Sequence, residues 1–150
     1  MDTSETYIRM CEKAEEIQTL RDLGRDGDFY YGEIDSLVYK PMPKRVFVNC
    51  HDEFEQYANE SLAELTKGAI WLPRQDQLQE MVKEWDTPAS LFLHGVPTLS
   101  SDEYWTEEDT KTECYYRALT SWEQLWLAFV MKRCYNKIWS IDKEGWIKDE

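Results

Sequence analysis

Apolar positions recur every three or four residues along residues 121–139, SWEQLWLAFVMKRCYNKIW, more densely than elsewhere in the chain. Trp122, Leu125, Trp126, Phe129 and Val130 share one helical face, and Leu127, Met131, Cys134 and Ile138 make a second stripe. A helix that is apolar nearly all round over three turns is buried on every side, so this segment predicts a central C-terminal helix around which the chain packs. Ser121 with Gln124 has the form of a capping box, in which hydroxyl and amide each satisfy an orphan backbone N–H. Lys132, Arg133 and Lys137 suit the negative end of the helix dipole.

The same periodicity predicts a helix over residues 4–23, with Tyr7, Met10, Cys11, Ala14, Ile17 and Leu20 inward, Asp2 and Glu5 as candidate caps and Gly24 as the stop. Glu12, Glu15 and Glu16 lie off that stripe, on what reads as a solvated face. Residues 29–39 are rich in aromatic and β-branched side chains and predict a strand ended by Pro41 and Pro43, and residues 45–49 predict a second strand paired with it. Residues 52–68 form a further amphipathic helix, with Phe54, Tyr57, Ala58, Leu62 and Leu65 inward. Residues 69–72 are a short apolar run that suits a third strand. Pro73 then opens a helix with Leu78, Met81, Val82 and Trp85 inward, since a missing N–H is harmless in a first turn. Residues 86–101, with Pro88, Gly95 and Pro97, read as irregular, and residues 102–118 as helical.

These elements amount to one compact α+β domain of four or five helices around the C-terminal helix, with a small two- or three-stranded sheet. A chain of 150 residues fits a single core, and at this size about two-thirds of the unfolded surface is buried on folding. The 42% hydrophobic content and seven Trp supply that core.

Charge narrows the functional classes. Seventeen basic against 30 acidic residues leave a net charge of −13 and a pI near 4.6. A direct nucleic-acid binder needs the reverse balance, and so does a protein that adheres to an anionic membrane. The first residues carry no basic and apolar leader, and no apolar run approaches the roughly 20 residues of a membrane span, so a cytoplasmic location is expected. Cys11, Cys50, Cys114 and Cys134 show no paired spacing and read as reduced thiols, carrying neither metal nor disulfide.

Candidate chemistry is sparse. Cys50 and His51 are adjacent, but neighbours on an extended chain point to opposite sides, which argues against a nucleophile–base pair. Cys50, His51, His94, Cys114 and Cys134 could supply zinc ligands, yet their spacing matches no pattern of closely paired ligands. Phosphate loops of the GxxxxGK[ST] kind, GxGxxG, GxSxG and HExxH are all absent. The expectation is a protein without catalytic activity and without a cofactor. Arg74, Gln75, Asp76 and Gln77 follow Pro73 at a helix start, where free N–H groups could hold an anion or a partner's carboxylate, or where the side chains could simply cap the helix.

Three blocks are distinctive: YIRMCEKAEEIQ at residues 7–18, WLPRQDQLQEM at 71–81, and SWEQLWLAFVMKRCY at 121–135. Together they resemble a group of small prophage-encoded proteins of Gram-positive bacteria. The resemblance implies an origin in a bacteriophage genome and work in the host cytoplasm, and it attaches no activity.

The remaining clue is where the charge lies. Residues 111–150 hold seven bases and six acids, so residues 1–110 hold the other ten bases and 24 acids. Asp102, Glu103, Glu107, Glu108 and Asp109 fall in one short window with Tyr104 and Trp105. Spaced carboxylates offer the field of a phosphate backbone and aromatic rings offer anchors, which suits the basic cleft of a nucleic-acid enzyme. The sequence therefore leads to an interaction protein that binds a host or phage protein with a basic surface, through residues 102–109. A small-ligand or nucleotide-binding protein and a phage structural or packaging accessory are the other readings, and a purely solubilising charge is the plain one.

Overall fold

The structure is a computed structural model that describes residues 1–20, 27–34, 42–48, 68–82 and 118–149. Within them the chain runs α1 (Glu5–Lys13), α2 (Glu15–Gln18), β1 (Phe29–Ile34), β2 (Met42–Val48), β3 (Ile70–Leu72), α3 (Gln75–Glu80), α4 (Trp122–Tyr135), β4 (Lys137–Ser140) and β5 (Gly145–Lys148). The α+β architecture expected from the periodicity is what these elements make. The helices expected over residues 52–68 and 102–118, and the irregular stretch 86–101, lie outside the described residues.

Strand β1 is the middle of a three-stranded antiparallel sheet, with β2 and β3 on either side. Its period of two sorts the side chains. Tyr30 sits opposite both Phe47 and Trp71, all three are buried, and the Tyr30 and Phe47 rings stack with centroids 5.7 Å apart. On the other face Tyr31, Val46 and Ile70 are in register and only half-buried. The outer edge of β3 is closed by a side chain: Gln18 Nε2 donates to the Trp71 carbonyl (2.9 Å) and Gln18 Oε1 accepts from the Trp71 N–H (2.9 Å), as a neighbouring strand would.

That contact explains why residues 4–23 do not form one continuous helix. The backbone breaks at Ala14 (φ −87°, ψ 68°) between α1 and α2. Gln18 Nε2 also donates to the Cys11 carbonyl at the break (3.1 Å), while carrying the amide to the sheet edge. The cap is Ser4, whose Oγ accepts from the Tyr7 N–H (3.2 Å), and not Asp2 or Glu5. Asp2 instead joins two helix starts. Its carboxylate accepts from the Ser4 N–H (2.8 Å), the Ser121 hydroxyl (2.5 Å) and Gln124 Nε2 (2.7 Å).

Helix α4 packs against α1, α3 and β4. Six consecutive residues, Trp126 through Met131, are buried, which is more than a full turn and confirms burial on every side. Trp126 meets Phe129 edge to face at 5.7 Å. Ser121 Oγ accepts from the Gln124 N–H (3.1 Å), the hydroxyl half of the expected box, whereas Gln124 Oε1 takes the Thr120 N–H (3.0 Å). Two positions of the stripes depart from expectation: Trp122 is 59% exposed, and Cys134 is exposed.

The helix stops sooner than expected. Asn136 adopts the left-handed conformation (φ 53°, ψ 46°), which asparagine tolerates, and its N–H closes the last turn. Ile138 and Trp139 therefore belong to a β4–β5 hairpin, not to the helix. Trp139 and Trp146 are directly opposite in register, with rings 5.2 Å apart.

Candidate functional site

The Arg74–Gln77 cluster occupies the start of α3, which begins at Gln75, two residues later than a helix opened by Pro73. Arg74 is the N-cap and Pro73 lies outside the helix. The Gln77 Oε1 accepts from the Arg74 N–H (2.8 Å), and Gln77 Nε2 donates to Asp28 Oδ1 (2.5 Å), a carboxylate that is itself 1% exposed. Arg74 donates to the Gly27 carbonyl (2.6 Å) and to both oxygens of Asp76 (3.1 and 3.2 Å), and approaches Asp28 at 3.5 Å. The hydrogen bond and charge of Arg74 hold the Asp76 carboxyl below its ordinary range. Of the four residues only Gln75 takes no part in this network. The arrangement pins α3 to the turn before β1, which is capping and positioning.

The acidic window, Asp102, Glu103, Tyr104, Trp105, Glu107, Glu108 and Asp109, lies outside the described residues, as do Cys50, His51, His94 and Cys114. Burial raises the thiol pKa of both remaining cysteines, Cys11 far above its ordinary value. No group of three or more His, Cys, Asp or Glu among the described residues is placed to share a metal ion. No helix among the described residues is long and apolar enough to cross a membrane.

Among the described residues the structure brings together a set that sequence reasoning did not. A half-open groove of about 340 Å³ lies where α1 ends against the sheet. Glu12 of α1 and Glu33 of β1 line it with Lys44 of β2, over Tyr31 and Ile70. Its geometry comes from an irregularity between β1 and β2. Gly32 is opposite Arg45 while Ile34 is opposite Met42, so β2 advances three residues where β1 advances two. Such a bulge bends the strand and re-aims side chains, and here it falls at Glu33, between Gly32 and Ile34. Gly32 permits the packing, because a Cβ there would come within 3.0 Å of Ala69. Gly68 turns the chain into β3 with φ +82°, a conformation that other residues adopt at a strain.

Glu12, Glu33 and Lys44 line one groove, yet none of the three forms an ion pair among the described residues. Elsewhere, charges are paired across elements: Arg9 with Glu144, Lys137 with Glu16, and Lys132 with Asp149. A glycine inside one strand pattern, with Pro43 near the start of the partner strand, was the available signal for a bulge. The convergence of Glu12 on it had none.

Comparison with protein-family models, with curated proteins and with solved structures returns no match.

Proposed function

We propose that the chain is an acidic interaction protein of phage origin. In this reading it works in the cytoplasm of a Gram-positive host by occupying the basic surface of a host or phage protein. The target class that suits it is a nucleic-acid-binding or defence enzyme whose cleft normally receives a phosphate backbone. One observation carries this reading: residues 1–110 hold 24 acids against ten bases, five of the acids within residues 102–109 around Tyr104 and Trp105, while residues 111–150 are nearly neutral. A charge excess needed only for solubility has no reason to be confined in this way.

The test is capture of a partner from host lysate, with and without nuclease, followed by association kinetics at several salt concentrations. Long-range attraction fades once the Debye length falls to about 8 Å at physiological salt, so association should slow steeply as salt rises. Replacing Asp102, Glu103, Glu107, Glu108 and Asp109 by Asn or Gln should slow it by about an order of magnitude, with little change in melting temperature. Trp105→Ala should act mainly on dissociation, as loss of a desolvated anchor does. A partner that binds the quintuple variant at the wild-type rate, without salt dependence, would reduce the charge to a solubilising coat.

A further inference from the structure

We infer that the groove between α1 and the β1–β2 bulge receives a cationic side chain, an arginine or lysine, from the basic partner; this rests on the reading above and gives that partner a second point of contact. Three observations lead there. The groove is a formed space of about 340 Å³, within the roughly 300–1,000 Å³ range of ligand pockets and ample for one long side chain. Among the described residues its charged lining is two carboxylates against one ammonium, set in a protein of net charge −13, a balance that favours a cation. Tyr31 and Ile70, both half-buried, also line it, and an aromatic ring near carboxylates suits a guanidinium, which stacks on rings and forks to carboxylates.

Among the described residues the three charges have no competing structural duty. Glu12, Glu33 and Lys44 are exposed and make no ion pair among the described residues, although the bulge and the end of α1 hold them around the same space. A guest cation would find Glu12 and Glu33 open to it, with no pair to another described residue to break. Lys44 opposes it, and its removal should strengthen binding.

The probe is Nα-acetyl-L-arginine amide, a cation without a carboxylate, titrated into the ¹⁵N-labelled full chain and followed by NMR. Saturable shifts are expected at the backbone amides of Gly32, Glu33 and Gly68, with a dissociation constant on the order of millimolar. The Glu12→Gln/Glu33→Gln double variant should weaken binding by about tenfold or more, and Lys44→Gln should tighten it by about two- to fivefold, both with unchanged melting temperature. Absence of saturable shifts at those amides, equal binding of Nα-acetyl-L-glutamate amide, wild-type affinity in the double variant, or weaker binding by Lys44→Gln would each overturn the assignment. The last outcome would mark the groove as a site for an anion or a zwitterion. Because the titration uses no partner protein, the groove assignment can fail while partner capture succeeds, and the reverse.

Discussion

On the hairpin side of α1, Arg9 pairs with Glu144 of the β4–β5 turn, and the Trp146 indole N–H donates to the Met10 carbonyl (2.9 Å). Just beyond, Glu16 of α2 pairs with Lys137. On the sheet side, about one turn after Arg9, Glu12 enters a groove that also holds Glu33 and Lys44 and pairs with neither. The same short helical region thus has one flank where charge is used to join elements and another where it is held apart. Exposed ion pairs contribute only about 0–1 kcal/mol each, so the pairing on the hairpin side serves register more than stability. The apolar contacts beneath, Trp139 on Trp146 and the buried face of α4, hold that flank in place. On the sheet flank none of the three charges pairs with another described residue, and that is the basis on which a ligand is proposed for them.

Removing the support common to both flanks should have the largest effect. Trp126 and Phe129 are 3% and 6% exposed, and Trp126→Ala or Phe129→Ala should destabilise the protein by roughly 3–5 kcal/mol, the usual consequence of emptying a buried aromatic site. Chemical denaturation of each variant measures this. A midpoint within experimental error of wild type would mean that α4 is not the element on which α1 and α3 rest.

The comparison sharpens with variants that remove polar groups of opposite standing. Gln77 supplies a 2.5 Å hydrogen bond to the buried Asp28, so Gln77→Ala should destabilise the fold by roughly 1–3 kcal/mol, the range for leaving a buried acceptor short of its donor. Glu12→Gln and Glu33→Gln should each change stability by less than about 0.5 kcal/mol, as surface substitutions do. Equal losses in the two sets would erase the distinction between structural and available polar groups.

The buried face of α4 was legible because Trp126, Phe129 and Val130 repeat at helical spacing with nothing to interrupt them. The end of that helix was not, because Ile138 prolongs the same stripe and the stop is a backbone state of Asn136. In hindsight the β-branched and aromatic pairs Ile138–Trp139 and Trp146–Ile147, on either side of a four-residue turn, mark the hairpin. Strands β1, β2 and β3 and the pairing of the first two could be read from their β-branched and aromatic residues. The break at Ala14 could not be read, since Met10, Ala14 and Ile17 keep the helical stripe running through it and the determinant, Gln18 on Trp71, spans 53 residues. The groove was hidden for the same reason: it is assembled from α1, β1, β2 and the entry to β3. The Arg74 cluster was visible as a helix start, but only the fold supplies Gly27 and Asp28 as its internal acceptors.

The smallest effect expected is at the other end of α1, where Asp2 ties it to α4. Burial pushes the Asp2 carboxyl upward, but hydrogen bonds from Ser121, Ser4 and Gln124 outweigh this and hold it below its ordinary value of 3.8. A carboxyl depressed in the folded state contributes stability above its unfolded pKa and loses that contribution as pH falls through the folded value. The tie is therefore fully present at neutral pH and fades below about pH 4. Asp2 is only partly buried, so solvent weakens the interaction and the contribution is modest. Asp2→Asn should lower the melting temperature slightly at pH 7, and the difference from wild type should shrink as the pH falls below about 4. A difference for Asp2→Asn that does not shrink at all as the pH falls would mean that the side chain acts through shape or neutral hydrogen bonding, and that charge joins elements only on the hairpin flank.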